Sequence, residues 1–438
     1  MHSVKLIAQN FSQNSGAYYD KNKAPTTSDI WLVLCLGLAP LCYLSVRSWT
    51  ITFLFVLIFI SASQIKHLNL SELTSNHKKS IYWVIAALVA PLVAAIAGQL
   101  FRGQIKIGLM DGPSRPFLAV FLFMYLLQKP IDFVRLLEWC IPISLIILSG
   151  VLIVHPYGWS DITSERFGTA AIDPLTLGQY TLFMAFFCLL TFNIYGNDSR
   201  NLKFLKLIGF LIGIWISLGT GSRSAWVAIP FLSLLWILGR LQIRQFKKII
   251  LIIFLLFLLG ILVYETSPSI HGRIALAVNE YIDYFHNGNK DTSSGIRLSL
   301  LRLAAYLFAN NPLAGYGDSN YPSLSGISSI ASFNTALLET TLIHNGVHNE
   351  IMQNTLRSGI FGLLSSLLMF GVPIVIFYRA TRSEIKVIQT AGLAGLCYIG
   401  AMFFFGLSTE TFNMKYSISF YALMVSALAA QVLRPQPV

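Results

Sequence analysis

The chain is a succession of apolar runs, each about the length of a bilayer crossing, separated by short polar stretches. A hydrocarbon core of roughly 30 Å takes about 17–25 apolar residues as a helix. No water reaches the backbone there, so each run has to satisfy its own N–H and C=O groups. The pattern holds twelve spans: 30–46, 49–65, 81–100, 115–128, 135–154, 174–195, 204–219, 224–240, 248–264, 350–378, 388–406 and 416–433. A membrane β-barrel would show shorter segments of alternating polarity instead. The expected fold class is an all-α integral membrane protein of about twelve transmembrane helices, with one long outer loop containing amphipathic helices. Only 11% of the 438 residues are charged, against about a quarter in soluble domains.

The first 29 residues are polar and show no apolar core like that of a signal peptide. The expected division is a cytoplasmic tail over 1–29, helices 1–9 over 30–264, the outer loop over 265–349, helices 10–12 over 350–433, and a cytoplasmic tail over 434–438. The formal net charge of +12 could suggest nucleic acid, but its distribution speaks for topology. With the N-terminus inside, Lys78, Lys79, Arg200, Lys203, Lys247, Lys248, Arg379 and Arg382 all fall on the inner side, which is the positive-inside rule. No nucleic-acid partner is expected. The five cysteines lie in or beside apolar spans, with no disulfide framework and no metal spacing.

Topology leaves a second set of cations on the outer face: Arg47, Arg102, Arg115, Arg166, Arg223, Arg273, Arg297, Arg302 and Arg357, with only Lys106, Lys290 and Lys415 beside them. Arginine takes phosphate in a bidentate fork that lysine lacks. A preference for arginine outside therefore points to a phosphate-bearing ligand, with interfacial snorkelling as the bland alternative. Arg115 in LMDGPSRPF, Arg223 in LGTGSRSAW and Arg357 in HNEIMQNTLRSG sit at the starts of spans that run from outside to inside. Such helix starts carry free N–H groups and favour anions. Ser222 is a candidate cap for span 8, and Asp111 or Ser114 for span 4. Gly219 and Gly221 allow a tight turn before Arg223.

The long loop contains SSGIRLSLLRLAAYLFANNPLAGYG, read as an amphipathic helix along the membrane surface, with Leu298, Leu301, Ala305 and Phe308 on one face. Arg297 and Arg302 lie about 140° apart on such a helix and need not share a ligand. His348, at the entrance to span 10, has the side chain suited to proton exchange near neutral pH. There it is a candidate general base on a hydroxyl. If 348–378 is one helix, Met352, Thr355 and Gly359 share its face. Asn349 reads first as an N-cap. Arg357 faces elsewhere, toward a carboxylate or phosphate. His344 and His348 make a weak metal pair, because Gly346 between them argues for a loop; no metal and no cofactor is expected.

These residues resemble the O-antigen ligase and polymerase superfamily. His348 and Asn349, then nine residues, then Gly359 resemble its HN-x9-G signature. GSRSAW at 221–226 is similar to its arginine motif, the Arg297 segment to its arginine, NPL and GxG stretch, and DGPSR at 111–115 to an element of lipopolysaccharide O-antigen ligases. Leu301 stands where the family often has an aromatic. The resemblance implies an inverting, metal-independent glycosyltransferase of the bacterial inner membrane, multi-pass, with its site facing the periplasm. It implies a glycan on undecaprenyl diphosphate as donor and a sugar hydroxyl of lipid A–core as acceptor. His348 and Arg223 would be catalytic, and Arg115, Arg223 and Arg297 would hold the diphosphate. Asn349, Arg302, Arg166 and Arg357 are further candidates. The alternatives are an O-antigen polymerase sharing that donor, a protein O-oligosaccharyltransferase, and a transporter of an anion or of the lipid-linked glycan. Against transport stand the lack of an internal repeat and the crowding of polar residues at one face.

Overall fold

The computed structural model describes residues 26–46, 48–64, 75–155, 166–241, 245–318, 320–324 and 326–434. Arg47, and most of the two expected tails, lie outside them. The described residues fold into α-helices without a strand: α1 Thr27–Cys42, α2 Trp49–Ser63, α3 Ser75–Phe101, α4 Asp111–Leu126, α5 Phe133–Val154, α6 Pro174–Thr191, α7 Arg200–Gly219, α8 Arg223–Trp226, α9 Ile229–Arg240, α10 Phe246–Thr266, α11 Pro268–Ile282, α12 Ser293–Asn310, α13 Ala336–Asn345, α14 Glu350–Ala380, α15 Lys386–Gly406 and α16 Lys415–Leu433. Eight of these, α3, α5, α6, α7, α10, α14, α15 and α16, are long and apolar enough to cross a membrane, and α1 and α2 are shorter apolar helices. The chain is an all-α, multi-pass membrane protein.

The helix α16 runs through the centre, with every residue from Ser417 to Leu433 buried. Its many Ser and Ala residues let neighbours approach closely, which is how helices associate where lipid removes the hydrophobic drive. On α15, Gly395 sits under the ring of Phe377 in α14; a Cβ there would meet ring carbons at 2.4–2.5 Å.

Two expected spans differ. Residues 224–240 do not form one helix: α8 ends at Trp226 and α9 starts at Ile229. Pro230 has no N–H and its ring crowds the carbonyl four residues back, at Trp226. Span 10 begins at Glu350 and consists of two helical segments joined by a kink at Ser358 and Gly359 (φ 61°, ψ −141°). His348 therefore precedes α14, and the face expected to join it to Met352, Thr355 and Gly359 does not exist. Gly359 kinks because the NPL segment packs on it: a Cβ would run into the carbonyl oxygens of Pro312 and Leu313. The carbonyls and amides freed by the kink are satisfied across that contact. Ile360 N–H donates to Pro312 O (2.7 Å), Tyr316 N–H to Leu356 O (2.6 Å), and Gly317 N–H to Arg357 O (3.1 Å).

Helix α12 covers the expected stretch, but its buried face is Ser299, Leu300, Leu303, Ala304 and Leu307, and Ala305 is exposed. The stretch is apolar on nearly two faces, so periodicity could not choose between them. Protein takes the apolar face: Leu338 and Leu342 of α13, with Phe333, Val347 and Leu356, close a second small core around α12.

At one end of the bundle the buried ammonium of Lys206 pairs with Glu138 and Asp198, both at 2.7 Å. Arg166 and Arg223 lie at the opposite end of α7, beside Thr220 and after it.

Candidate active site

The turn between α7 and α8 collects three arginines. Gly221 takes φ +60°, and a Cβ on it would lie 3.2 Å from Nε of Arg273, so the Arg273 guanidinium packs on bare backbone. Arg166 Nε donates to Thr220 O at 2.7 Å. Arg223 opens α8, its Nη2 3.2 Å from Oε2 of Glu280 on α11. Arg223 Nη1 is buried with no hydrogen-bond partner among the described residues. Arg297 on α12 is the fourth cation. Burial, then Arg223, holds its guanidinium below the usual range. Arg166 is lowered by burial, then by Arg273, with Asp173 opposing and Arg223 and Arg297 adding to the effect. Four half-buried cations from four segments thus share one field, and such a field favours an anion.

His348 borders the cluster. Its pKa is lowered by burial and then by Arg297, so the imidazole is neutral at neutral pH and free to take a proton. Its backbone is left-handed (φ 55°), uncommon for a residue other than glycine. Glu410 holds it there: Oε1 accepts the His348 N–H at 3.1 Å. Burial, then the neighbouring Glu350, pushes the Glu410 carboxyl up to about 7. Asn349 is the N-cap of α14. Its Oδ1 accepts from Met352 N–H (3.0 Å) and its Nδ2 donates to Leu407 O (3.1 Å), so both ends of the amide serve the fold. His344 lies in the last turn of α13, and Gly346 (φ 73°) separates it from His348, so the two histidines do not share a helix.

The other candidates sit apart from this cluster. Arg115 is buried against Asp111 (3.0 Å) and Ser419 (2.9 Å), and Asp111 also pairs with Lys415 at 2.5 Å. Arg357 pairs with Asp318 (2.5 Å), Asn354 (3.1 Å) and Asn413 (2.9 Å). Arg302 is exposed, 4.3 Å above the Phe333 ring, with Nη1 3.3 Å from the Tyr284 hydroxyl. The expected caps also differ. Ser222 Oγ makes no cap bond; it bonds Leu175 O (3.4 Å) and Ser224 Oγ (3.0 Å). Ser114 Oγ donates back to Asp111 O, and Asp111 lies within α4.

Beside this, between α3, α4, α14 and α16, lies a cavity of about 170 Å³ lined by Ala94, Glu350, Asn354, Arg357, Met369 and Lys415. A smaller one next to it, about 110 Å³, shares Leu109 and Asp318 with it and is lined by Arg102 and Lys106.

In the sequence Arg273 stands out only as an outer cation, and Glu280 and Glu410 do not stand out. None of the three lies in a motif; each matters through a contact with a residue far away in the chain.

The O-Antigen ligase family profile matches residues 208–367, a stretch that holds Arg223, Arg273, Glu280, Arg297, His348 and Gly359 together. Over that stretch the chain is similar to the O-antigen ligase family. An O-antigen ligase of Escherichia coli is 23% identical over 199 residues, 45% of this chain and 46% of that protein. One of Salmonella typhimurium is 27% identical over 201 residues, 44% of this chain and 45% of that protein. The chain thus matches just under half the length of these two ligases. An uncharacterized protein of Haemophilus influenzae is 22% identical over 302 residues, 68% of this chain and 73% of its own. Against this superfamily, the HN-x9-G spacing gains a physical reading: the histidine sits ahead of the helix, and the glycine makes the kink that receives the NPL segment.

Proposed function

We propose that this protein is an O-antigen ligase, moving a glycan from undecaprenyl diphosphate to a sugar hydroxyl of lipid A–core. The observation that carries the reading is the unsatisfied, buried Nη1 of Arg223 among Arg166, Arg273 and Arg297, with a neutral His348 at the border. The arginines hold the donor diphosphate. His348 orients the acceptor hydroxyl and takes its proton as the oxygen attacks the anomeric carbon. The bond from that carbon to the phosphate oxygen breaks, and its electron pair leaves with the diphosphate. The guanidiniums stabilise the charge that grows there. Direct displacement inverts the anomeric centre. A diphosphate is already a good leaving group, so the reading needs no nucleotide and no metal.

The arginine end faces the periplasm of the bacterial inner membrane in this reading. Support comes from the basic residues at the other ends of the spans. Residues 265–349 form the outer loop. Arg115 lies with Lys415 beside the cavity between α3, α4, α14 and α16. We assign the surroundings of that cavity to the acceptor side, with the exposed Lys415 toward the acceptor's anionic groups. Arg115 then orders the acceptor side instead of binding the donor diphosphate.

The test is transfer by the purified chain in detergent, with undecaprenyl diphosphate-linked glycan, lipid A–core and a chelator. Glycan-bearing lipopolysaccharide is the expected product. Longer glycans on undecaprenyl diphosphate would make it a polymerase, and no product from intact protein would move the reading to transport.

A further inference from the structure

Four guanidiniums in one field repel each other when no ligand is bound; Asp173 lies within electrostatic reach of Arg166, and among the described residues Glu280 is the carboxylate that pairs with Arg223. Glu280 is nearly buried. Its Oε2 lies 3.2 Å from Arg223 Nη2, accepts the Ser294 hydroxyl, and lies within electrostatic reach of Arg297. Arg273 and Glu280 are seven residues apart on α11, two turns, so one face of that helix meets the α7–α8 turn with a cation and an anion. The contact also holds α11 in place. The preceding helix α10 has none of its hydrophobic window buried, so it adds no anchor in the bundle.

We propose that Glu280 is the resident counter-ion of the arginine cluster, a stand-in for the donor diphosphate that gives way when it binds and returns to drive it out after transfer. The inference rests on the donor-site reading above. A diphosphate diester carries about two negative charges, and breaking the glycosidic bond adds roughly one more, since a terminal phosphate has its second pKa near 6. The product thus binds the arginines more tightly than the substrate, and a competing carboxylate is what shortens its stay. Glu280 is a positioning residue: it acts through Arg223 and does not touch the reacting atoms.

The experiment measures binding of inorganic pyrophosphate and of undecaprenyl diphosphate to the full chain in detergent, with turnover measured in parallel. Glu280→Gln keeps the shape and removes the charge; Glu280→Ala is the second neutral variant. Both are expected to bind undecaprenyl diphosphate about tenfold more tightly, the scale of one screened charge contact. Their steady-state turnover is expected to fall through product inhibition by added undecaprenyl diphosphate, and Glu280→Asp is expected to bind no more tightly than the native chain. Equal or weaker binding by both neutral variants would overturn the proposal and leave Glu280 a structural partner of Arg223. Native binding that ignores Arg223→Ala and Arg297→Ala would instead overturn the donor-site reading itself.

Discussion

Glu410 Oε1 accepts the backbone N–H of His348 at 3.1 Å, across 62 positions of chain. The bond fixes a left-handed residue just ahead of α14 and so aims the imidazole. Gly346 is the close neighbour that makes room for the carboxylate. Glu410→Ala is expected to lower transfer by about 10- to 100-fold, in the range that supporting residues command. Glu410→Gln keeps an acceptor oxygen and is expected to retain most of the activity. Loss of activity in Gln equal to that in Ala would refute a hydrogen-bonding role.

The same carboxyl predicts a pH effect on stability. Its folded pKa of about 7 lies above the ordinary 4.5. The folded chain therefore holds the proton more tightly than the unfolded chain, and this contribution is lost as pH rises from about 4.5 through 7. Relative to the native chain, Glu410→Gln should gain thermal stability between pH 5 and pH 8. Unfolding midpoints in detergent at those two pH values check it.

His348 is held neutral by burial and then by Arg297, so the acid limb of the transfer profile should lie below pH 6.5. Arg297→Gln removes a nearby positive charge, and the limb should move to higher pH. A limb that stays in place in Arg297→Gln would separate His348 from the titration.

Arg223→Ala should reduce transfer by about 10²–10³-fold, as expected for loss of a donor aimed at developing charge. Arg302 is exposed and stacks on Phe333. Arg302→Ala should change transfer by less than about twofold, since exposed charge contacts are worth little. Comparable losses in the two variants would contradict the division between them.

Gly359→Ala should hurt folding rather than chemistry. The position has φ 61°, and the new methyl would meet the carbonyls of Pro312 and Leu313. A cost of about 1–3 kcal/mol is typical of such strain, and a lowered unfolding midpoint would register it.

What the sequence by itself determined was local. Apolar length dictated helices, because lipid offers the backbone no other partner. The turn at Gly221, the N-cap at Asn349 and the break that Pro230 imposes all follow from neighbours in the chain. Arg166, Arg223 and Arg297 were recognisable as one class of residue, yet nothing local separated them from Arg115, Arg302 and Arg357. Tertiary structure decided that division. Asp111 and Asp318 neutralise Arg115 and Arg357, while Arg273 and Glu280 arrive on α11 to complete the cluster. Glu410 reaches His348 the same way. Charges act through space and not along the chain, so which arginine keeps a free guanidinium edge is settled only when the helices pack.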